Sequence, residues 1–198
     1  MSASALSGAI TRTVEWFKHR KAPFCLAGGL AVSFRTIERA TRDVDLVVAL
    51  ESEAEAETCI RDLREIGFAP VELMQRKETG AISTVRMLSA EFPGIYLDLL
   101  FCACGIESEV VQAATEIELL PGVAVPTANI PGLIAMKVLS SGNKRRRQDL
   151  LDLEHLIGDA NEKELVEARR LVSLMAERGF GAGRDLSRVL TDLIAEIR

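Results

Sequence analysis

This sequence has few aromatic residues and few histidines, and its basic residues do not outnumber its acidic ones. Phe, Trp and Tyr make up 5% of the 198 residues, too few to predict a platform on which single-stranded nucleic acid stacks. The formal net charge is −5, which disfavours an extended basic surface for duplex nucleic acid. The two histidines, His19 and His155, have no serine or cysteine on a nucleophile elbow to act with. General nucleic-acid binding and triad hydrolysis are therefore disfavoured.

Long hydrophobic runs and paired cysteines are missing as well. No uninterrupted apolar segment approaches the length of a membrane span, and residues 1–21 lack the basic start and apolar core of a signal peptide. Cys102 and Cys104 have no second pair at zinc-finger spacing. We therefore expect a cytoplasmic protein without membrane contact, in which these two cysteines, Cys25 and Cys59 are free thiols.

What is present is an ordinary globular mixture, 48% hydrophobic and 27% charged. Its periodicity predicts an α/β core with an N-terminal helix over residues 1–128 and a helical region over residues 129–198. Strands or extended segments are predicted over 24–29, 43–50, 68–77, 80–88, 94–104 and 117–128, with a hairpin turn near Thr79 and Gly80. Helices are predicted over 4–19, 30–38, 51–67, 106–115, 131–140, 146–157, 161–178 and 184–197, with Ser52 capping the third.

Two aspartates stand at the entrance of the strongest predicted strand, DVDLVVAL. Side chains two residues apart share one face of a strand, so Asp43 and Asp45 lie about 7 Å apart. Carboxylates this close repel each other unless a cation lies between them. If the strand that carries Asp98 is a neighbour, a third carboxylate joins them and the set suits Mg²⁺. Solvated aspartates at a strand entrance are the simpler alternative.

Two further segments carry features that fit phosphate binding. Gly28 and Gly29 end a buried strand and lead into a helix, where backbone N–H groups can approach phosphate closely, although a tight turn explains them equally. Lys137 lies on a helix that starts after Pro131, and its ammonium can neutralise phosphate charge, although a solvated lysine on a helix surface is the simpler alternative. Residues 144–147 form the one dense basic cluster, which is either a solvated run or a phosphate contact.

Asp149 and Asp152 lie three residues apart and therefore share one face of a helix. They either orient Lys137 and the basic cluster, or help to receive the ribose or the acceptor. A solvated helix face is a third interpretation, and the sequence leaves all three open.

The combination of these motifs resembles a known family. Residues 26–48, LAGGLAVSFRTIERATRDVDLVV, are similar to the signature of the AbiEii-type nucleotidyltransferases. These are toxin-like enzymes of type IV toxin–antitoxin systems, within the DNA polymerase β-like superfamily. Arg39, Thr41, Asp43 and Asp45 match in order, and residues 130–156 resemble the family's second block.

The resemblance implies an α+β nucleotidyltransferase fold, a mixed β-sheet flanked by helices, with the C-terminal helical region completing the active-site cleft. It implies transfer of NMP from an NTP to an acceptor hydroxyl with pyrophosphate release, dependent on Mg²⁺ or Mn²⁺. Asp43, Asp45 and Asp98 would hold the metal, and Lys137 would act with them. The implied substrate-binding residues are Gly28, Gly29, Arg39, Thr41, Lys144, Arg145, Arg147, Asp149 and Asp152.

The acceptor implied by the resemblance is a tRNA end, a protein or a small molecule, and a cognate antitoxin is an expected partner. The alternative is a non-catalytic protein on the same fold, which binds nucleotide or takes part in a toxin–antitoxin interaction.

Overall fold

A computed structural model describes residues 3–37, 41, 43–142, 147–181 and 183–198. These residues form seven strands and eight helices. The strands are β1 (Phe24–Ala27), β2 (Asp43–Val48), β3 (Ala69–Gln75), β4 (Ile82–Leu88), β5 (Tyr96–Leu100), β6 (Thr115–Leu120) and β7 (Val123–Thr127). The helices are α1 (Ala3–Arg20), α2 (Gly28–Arg35), α3 (Glu53–Glu65), α4 (Glu107–Gln112), α5 (Ile130–Ser140), α6 (Arg147–Asp159), α7 (Glu162–Glu177) and α8 (Leu186–Ile197).

All seven strands form one mixed sheet in the order β3-β4-β5-β2-β1-β7-β6. The central strand β2 pairs in parallel with β5 and antiparallel with β1, and β1 pairs in parallel with β7. The outer pairs β3–β4 and β6–β7 are antiparallel hairpins. The predicted mixed sheet with a C-terminal helical part is confirmed.

Local sequence explains the elements that were predicted well. β2 buries Val44, Leu46, Val47 and Val48, the β-branched and apolar side chains that favour a strand with a covered face. The Ser52 side chain accepts a hydrogen bond from the Glu55 N–H, as expected for the N-cap of α3. The hairpin between β3 and β4 turns where the sequence predicts it.

Two boundaries near the strands differ from the prediction. β1 stops at Ala27 and α2 begins at Gly28, two residues before the predicted helix start, because Gly28 adopts a φ of +60° that lets the chain change direction at once. Residues 117–128, predicted as one extended segment, form most of the β6–β7 hairpin, with Gly122 in the turn at φ +78°.

The strand predicted over 94–104 is limited to β5, Tyr96–Leu100. The chain leaves the sheet after it because the Glu107 carboxylate accepts hydrogen bonds from the backbone N–H groups of Ala103 and Cys104, at 2.6 and 2.7 Å. A side chain therefore satisfies backbone groups that a longer strand would have paired, which competes with the sheet.

The helices α5 to α8 pack together beside the sheet around buried residues such as Leu133, Leu153 and Val172. Polar contacts join this region to the loops of the sheet. Arg178 binds the Glu109 carboxylate, with Nη2 donating to Oε1 at 2.7 Å. The Arg76 guanidinium lies 3.6 Å from the centroid of the Phe180 ring. The helical region is thus joined both to α4 and to the connection between β3 and β4.

Within the described residues, none of the helices combines the length and the apolar character needed to cross a membrane. All four cysteines are free, as expected, with Cys25, Cys59 and Cys104 buried and Cys102 partly exposed.

Candidate active site

Two aspartates face each other across the centre of the sheet. β2 and β5 are parallel neighbours, and their register places Asp45 beside Asp98 and Asp43 beside Tyr96. Asp43 and Asp45 are two residues apart and therefore share a face of β2. The three carboxylates predicted from the sequence are thus carried by two adjacent strands.

A row of charged side chains crosses four strands in register. Glu72 on β3 lies opposite Arg86 on β4, Arg86 lies opposite Asp98 on β5, and Asp98 lies beside Asp45 on β2. We call these four residues the charged row. Arg86 is positively charged and lies between the negatively charged Glu72 and Asp98. The next pair, Asp98 and Asp45, consists of two negative charges. Opposite charges on directly paired positions stabilise a sheet and like charges destabilise it, so this last pair is the unfavourable one.

Arg86 holds both carboxylate oxygens of Asp98. Its Nε donates to Oδ1 at 2.8 Å and its Nη2 donates to Oδ2 at 2.6 Å, the bidentate geometry that fixes a carboxylate in one plane. The guanidinium also lies 4.7 Å from the centroid of the Tyr96 ring. The hydrogen bonds to Asp98 raise the pKa of Arg86 above its ordinary value. Sequence analysis missed Arg86, although one basic residue within the otherwise uncharged strand Ile82–Leu88 is a signal for it.

Asp45 lacks comparable compensation. Burial, followed by the neighbouring charges of Asp98 and Asp43, raises the pKa of the Asp45 carboxyl to about 6, and Lys137 and Arg86 oppose this shift only in part. Repulsion from like charges and loss of hydration both disfavour the ionised form. At Asp45, the nearby positive charge therefore does not balance burial and the two neighbouring carboxylates.

Gly28 is in close contact with the Asp45 carboxylate. A Cβ atom on Gly28 would lie 1.9 Å from Oδ2 of Asp45, and φ is +60° at this position. The residue before it, Ala27, provides no side-chain cap for α2, so the first N–H groups of the helix remain available to an anion. Glycine at position 28 thus serves the packing of Asp45 as well as any approach of phosphate.

Lys137 is tied to two buried carboxylates on α6. Its Nζ lies 2.6 Å from Asp149 Oδ1 and 2.8 Å from Asp152 Oδ2, and the Gln148 amide also donates to Asp152 Oδ1 at 3.2 Å. Of the three interpretations of Asp149 and Asp152, these contacts favour the one in which they orient Lys137. They also connect α5 to α6, because Lys137 and its two partners lie on different helices.

Two cavities meet at the carboxylates. The smaller, about 370 Å³, is lined by Gly28, Gly29, Thr41, Asp43, Lys137 and Asp149 among others. The larger, about 750 Å³, extends towards the edge of the sheet and is lined by residues that include Glu72, Met74, Thr84, Leu139 and Arg184. Asp45, Arg86 and Asp98 line both cavities. Two substrates bound one in each cavity would therefore meet at Asp45 and Asp98.

The remaining predicted residues are placed as follows. Asp152 is buried behind Lys137, and Arg147 is exposed at the first position of α6. Arg39, Lys144 and Arg145 lie outside the described residues.

The carboxylates suit a hard divalent cation in donor type and in charge, and the raised pKa of Asp45 reflects an environment that such a cation would stabilise. Among the residues that the structure describes, no three His, Cys, Asp or Glu side chains already stand in a metal-binding arrangement. Arg86 accounts for part of this, because it engages both oxygens of Asp98. Asp43 and Asp45 are therefore the primary candidates for metal ligands. Asp98 would be a further ligand through an oxygen that also accepts a hydrogen bond from Arg86.

Comparison with known proteins places the chain among nucleotidyltransferases. A sequence model of the family described as nucleotidyl transferase AbiEii toxin, type IV toxin–antitoxin system, matches residues 15–196. A comparison with curated proteins found no match. An antigenic nucleotidyltransferase-like protein from Paracoccidioides brasiliensis has a similar structure, with a TM-score of 0.54 and 18% identity over 96% of this chain and 94% of that chain.

A lincomycin-bound lincosamide antibiotic adenylyltransferase, LnuA, gives a TM-score of 0.50 and 17% identity over 79% of this chain and 96% of that chain. At these levels of identity, the two structures establish the nucleotidyltransferase fold.

We predict that Gly28→Ala displaces the Asp45 carboxylate. The added methyl group would overlap Asp45 Oδ2 and would strain a backbone with φ +60°. Gly158→Ala is the matched control, since a Cβ there meets nothing within 4 Å and alanine favours a helix by roughly 0.5–1 kcal/mol. Thermal unfolding and Mn²⁺ binding followed by electron paramagnetic resonance should show losses for Gly28→Ala only. Equal Mn²⁺ binding by both variants would contradict the contact.

We predict that Asp45 makes the metal-free protein less stable as pH rises from about 4 to about 6. The folded-state pKa lies above the ordinary 3.8, so the folded protein binds the proton more tightly and loses that advantage as the carboxyl ionises. Well above pH 6, Asp45→Asn should be more stable than the native chain by on the order of 3 kcal/mol. Urea unfolding between pH 4 and 7.5 measures this, and an unchanged pH slope in Asp45→Asn would contradict it.

We predict that Lys137→Met destabilises the fold, because it removes the ammonium that contacts the buried carboxylates of Asp149 and Asp152 at 2.6 and 2.8 Å. Removing one partner of a buried ion pair costs roughly 3–5 kcal/mol. Lys163→Met, on the exposed face of α7, should change stability by less than about 0.5 kcal/mol. Urea unfolding of both variants at pH 7 is the measurement, and similar midpoints would argue that the contacts to Lys137 contribute little.

Proposed function

This chain belongs to the AbiEii nucleotidyltransferase family of type IV toxin–antitoxin systems, and from that premise we propose that it transfers NMP from an NTP to an acceptor hydroxyl. The observation that carries the proposal is the pair Asp45 and Asp98, set side by side where two cavities meet. A reaction between two substrates needs this arrangement, with one cavity for each substrate and the reactive groups between them.

The smaller cavity is the proposed NTP site. The N-terminus of α2 at Gly28 and Gly29 presents backbone N–H groups, and the helix dipole favours an anion there. Lys137 lines the same cavity with its ammonium held in place by Asp149 and Asp152. Two carboxylates already contact this ammonium. Its proposed role is therefore to provide positive charge at a fixed position near the phosphates, without moving to form an ion pair with them.

The transfer step is a displacement at the α-phosphorus. The acceptor oxygen forms a bond to that phosphorus, the bond to the bridging α–β oxygen breaks, and its electron pair leaves with pyrophosphate. Asp98 is the proposed recipient of the hydroxyl proton, because it lies where the two cavities meet. Arg86 fixes the plane of the Asp98 carboxylate through two hydrogen bonds and so orients the oxygen that receives the proton.

Asp43 and Asp45, with Asp98 sharing an oxygen, are the residues that would hold Mg²⁺ or Mn²⁺. When bound, such a cation lowers the pKa of an attacking hydroxyl and stabilises negative charge on the leaving pyrophosphate. Asp45, whose pKa is raised by burial and by the other two carboxylates, would then remain ionised at neutral pH.

One observation favours a second candidate function, nucleotide binding without turnover on the same fold. Both oxygens of Asp98 are engaged by Arg86, and no ready-made three-ligand cluster exists among the described residues. A protein that used the fold only to bind nucleotide, or to bind a cognate antitoxin, would not need to release Asp98. Release of pyrophosphate separates the two functions.

The test is label transfer. The protein is incubated with Mg²⁺ or Mn²⁺ and each α-³²P-labelled NTP, with total tRNA, cell protein and a cell metabolite extract as separate acceptor pools. We expect label in one pool, with release of pyrophosphate. Asp43→Asn should abolish transfer by removing a metal ligand while its circular dichroism and unfolding midpoint show an intact fold, and Asp192→Asn on α8 is the control that should keep full activity.

Label in no pool together with metal-independent nucleotide binding would support the non-catalytic alternative. Undiminished transfer by Asp43→Asn would remove this residue from the metal site.

A further inference from the structure

The larger cavity offers a second binding site next to the proposed NTP site, and its lining indicates which class of acceptor fits it. We call it the acceptor cavity and define it by Glu72, Met74, Thr84, Leu139 and Arg184, together with the residues that it shares with the smaller cavity. The inference rests on the proposed function in one respect, namely that the smaller cavity holds the nucleotide.

Glu72 is an exposed carboxylate in the wall of this cavity, and Arg86 is the cation whose charge it senses. It lies directly opposite Arg86 in the β3–β4 register, so a salt bridge between them would be the ordinary outcome for such a cross-strand pair. Arg86 instead gives its Nε and Nη2 hydrogen bonds to Asp98 on the other side. Glu72 makes no ion pair or side-chain hydrogen bond with any residue of the described ranges.

Arg184, the second positively charged residue that lines this cavity, is also already hydrogen-bonded. Arg184 donates from Nη2 to the backbone oxygens of Val138 and Leu139, the last turn of α5, where the negative end of the helix dipole offsets its charge. Each guanidinium thus has hydrogen-bond partners of its own, while Glu72 has only the longer-range charge of Arg86 and no hydrogen bond or ion pair among the described residues. A ligand cation would fill that place.

The rest of the lining favours a small molecule. A volume of about 750 Å³ lies in the range of small-molecule sites. Met74, Leu100, Met136 and Leu139 provide apolar surface, and Thr84 provides a hydroxyl group. None of the described residues that line the cavity is aromatic, so it lacks the surface on which an unpaired base stacks. A carbon skeleton with hydroxyl groups and an amine fits these features better than the end of a polynucleotide.

We propose that the acceptor cavity binds a small polyhydroxylated compound with a protonated amine, that Glu72 pairs with the amine, and that a hydroxyl of the same compound faces Asp98. Glu72 is then a specificity-determining residue, separated from Asp98 by Arg86 alone in the charged row. The two positions are two strands apart, roughly 10 Å, which is the spacing between amine and reactive hydroxyl that the site selects.

The first test measures binding without turnover. Isothermal titration calorimetry of the full chain with Mg²⁺ uses tobramycin, streptomycin and lincomycin as probes that carry basic nitrogen groups, and maltotriose as a neutral polyol of comparable size. We expect at least one basic probe to bind and maltotriose not to bind. Glu72→Gln should weaken that binding by roughly tenfold or more, since a charge-assisted hydrogen bond is lost.

Glu57→Gln, an exposed glutamate on α3, is the matched control and should bind as the native chain does. The affinity for a nonhydrolysable NTP analogue should be the same in Glu72→Gln and in the native chain, which locates the effect in the acceptor cavity. Absence of binding by all three basic probes, or equal binding by Glu72→Gln and Glu57→Gln, overturns the proposal.

Label transfer to the same probes separates this inference from the proposed function. Label in a basic probe, with a raised KM for that probe and an unchanged KM for NTP in Glu72→Gln, supports both. Label in total tRNA alone leaves nucleotidyl transfer standing and overturns the small-molecule acceptor. Binding that depends on Glu72 with no label in any acceptor supports the cavity assignment and counts against transfer itself.

Discussion

Repulsion between Asp45 and Asp98 is the constraint to which the surrounding structure responds. The parallel pairing of β2 and β5 sets these like charges side by side, which costs free energy in any sheet. Arg86 neutralises one of the two from the neighbouring strand, and Gly28 leaves the space in which the other is packed. The remaining imbalance is visible in the raised pKa of Asp45.

The cations near the site are positioned rather than free, and this shapes how phosphate charge can be met. Arg86 forms an ion pair with Asp98, and Lys137 forms ion pairs with Asp149 and Asp152. Arg184 donates a hydrogen bond to a backbone oxygen at the end of α5. Within the described part of the chain, the N-terminus of α2 is then the main feature that offers unpaired donors to a triphosphate. On the proposed function, a bound divalent cation would supply the positive charge that these side chains, already paired with other groups, do not.

Local pattern was sufficient to predict β2, the capped helix α3, the β3–β4 hairpin and the helical C-terminal region, because each follows from the spacing of apolar side chains and from turn chemistry. The resemblance then selected Lys137, Asp149 and Asp152. The spacing of residues along the sequence does not predict which strands pair with each other in the sheet. In the sequence, Arg86 and Glu72 look like ordinary charged residues of a hairpin. Only the order of the strands in the sheet shows that Arg86 lies beside Asp98 and that Glu72 lines the cavity.

The early start of α2 was missed for a related reason. A pair of glycines predicts a turn before the helix, whereas Gly28 itself begins α2, with φ +60° and in close contact with Asp45. In both cases the decisive contact joins elements that are distant in the sequence, so spacing along the chain carries no trace of it.

The buried Asp62 shows what a purely structural carboxylate looks like in this protein. Asp62 on α3 accepts ion pairs from Arg20 at 2.5 Å and from Arg61 at 3.1 Å. Its charge is thus met from two sides, as burial of a carboxylate ordinarily requires. Asp45 faces two carboxylates and has no partner at such a distance among the described residues. Folding alone would favour an uncharged side chain at position 45, since that would remove the repulsion. The retention of a costly charge at the junction of two cavities is therefore best explained by chemistry that requires it there.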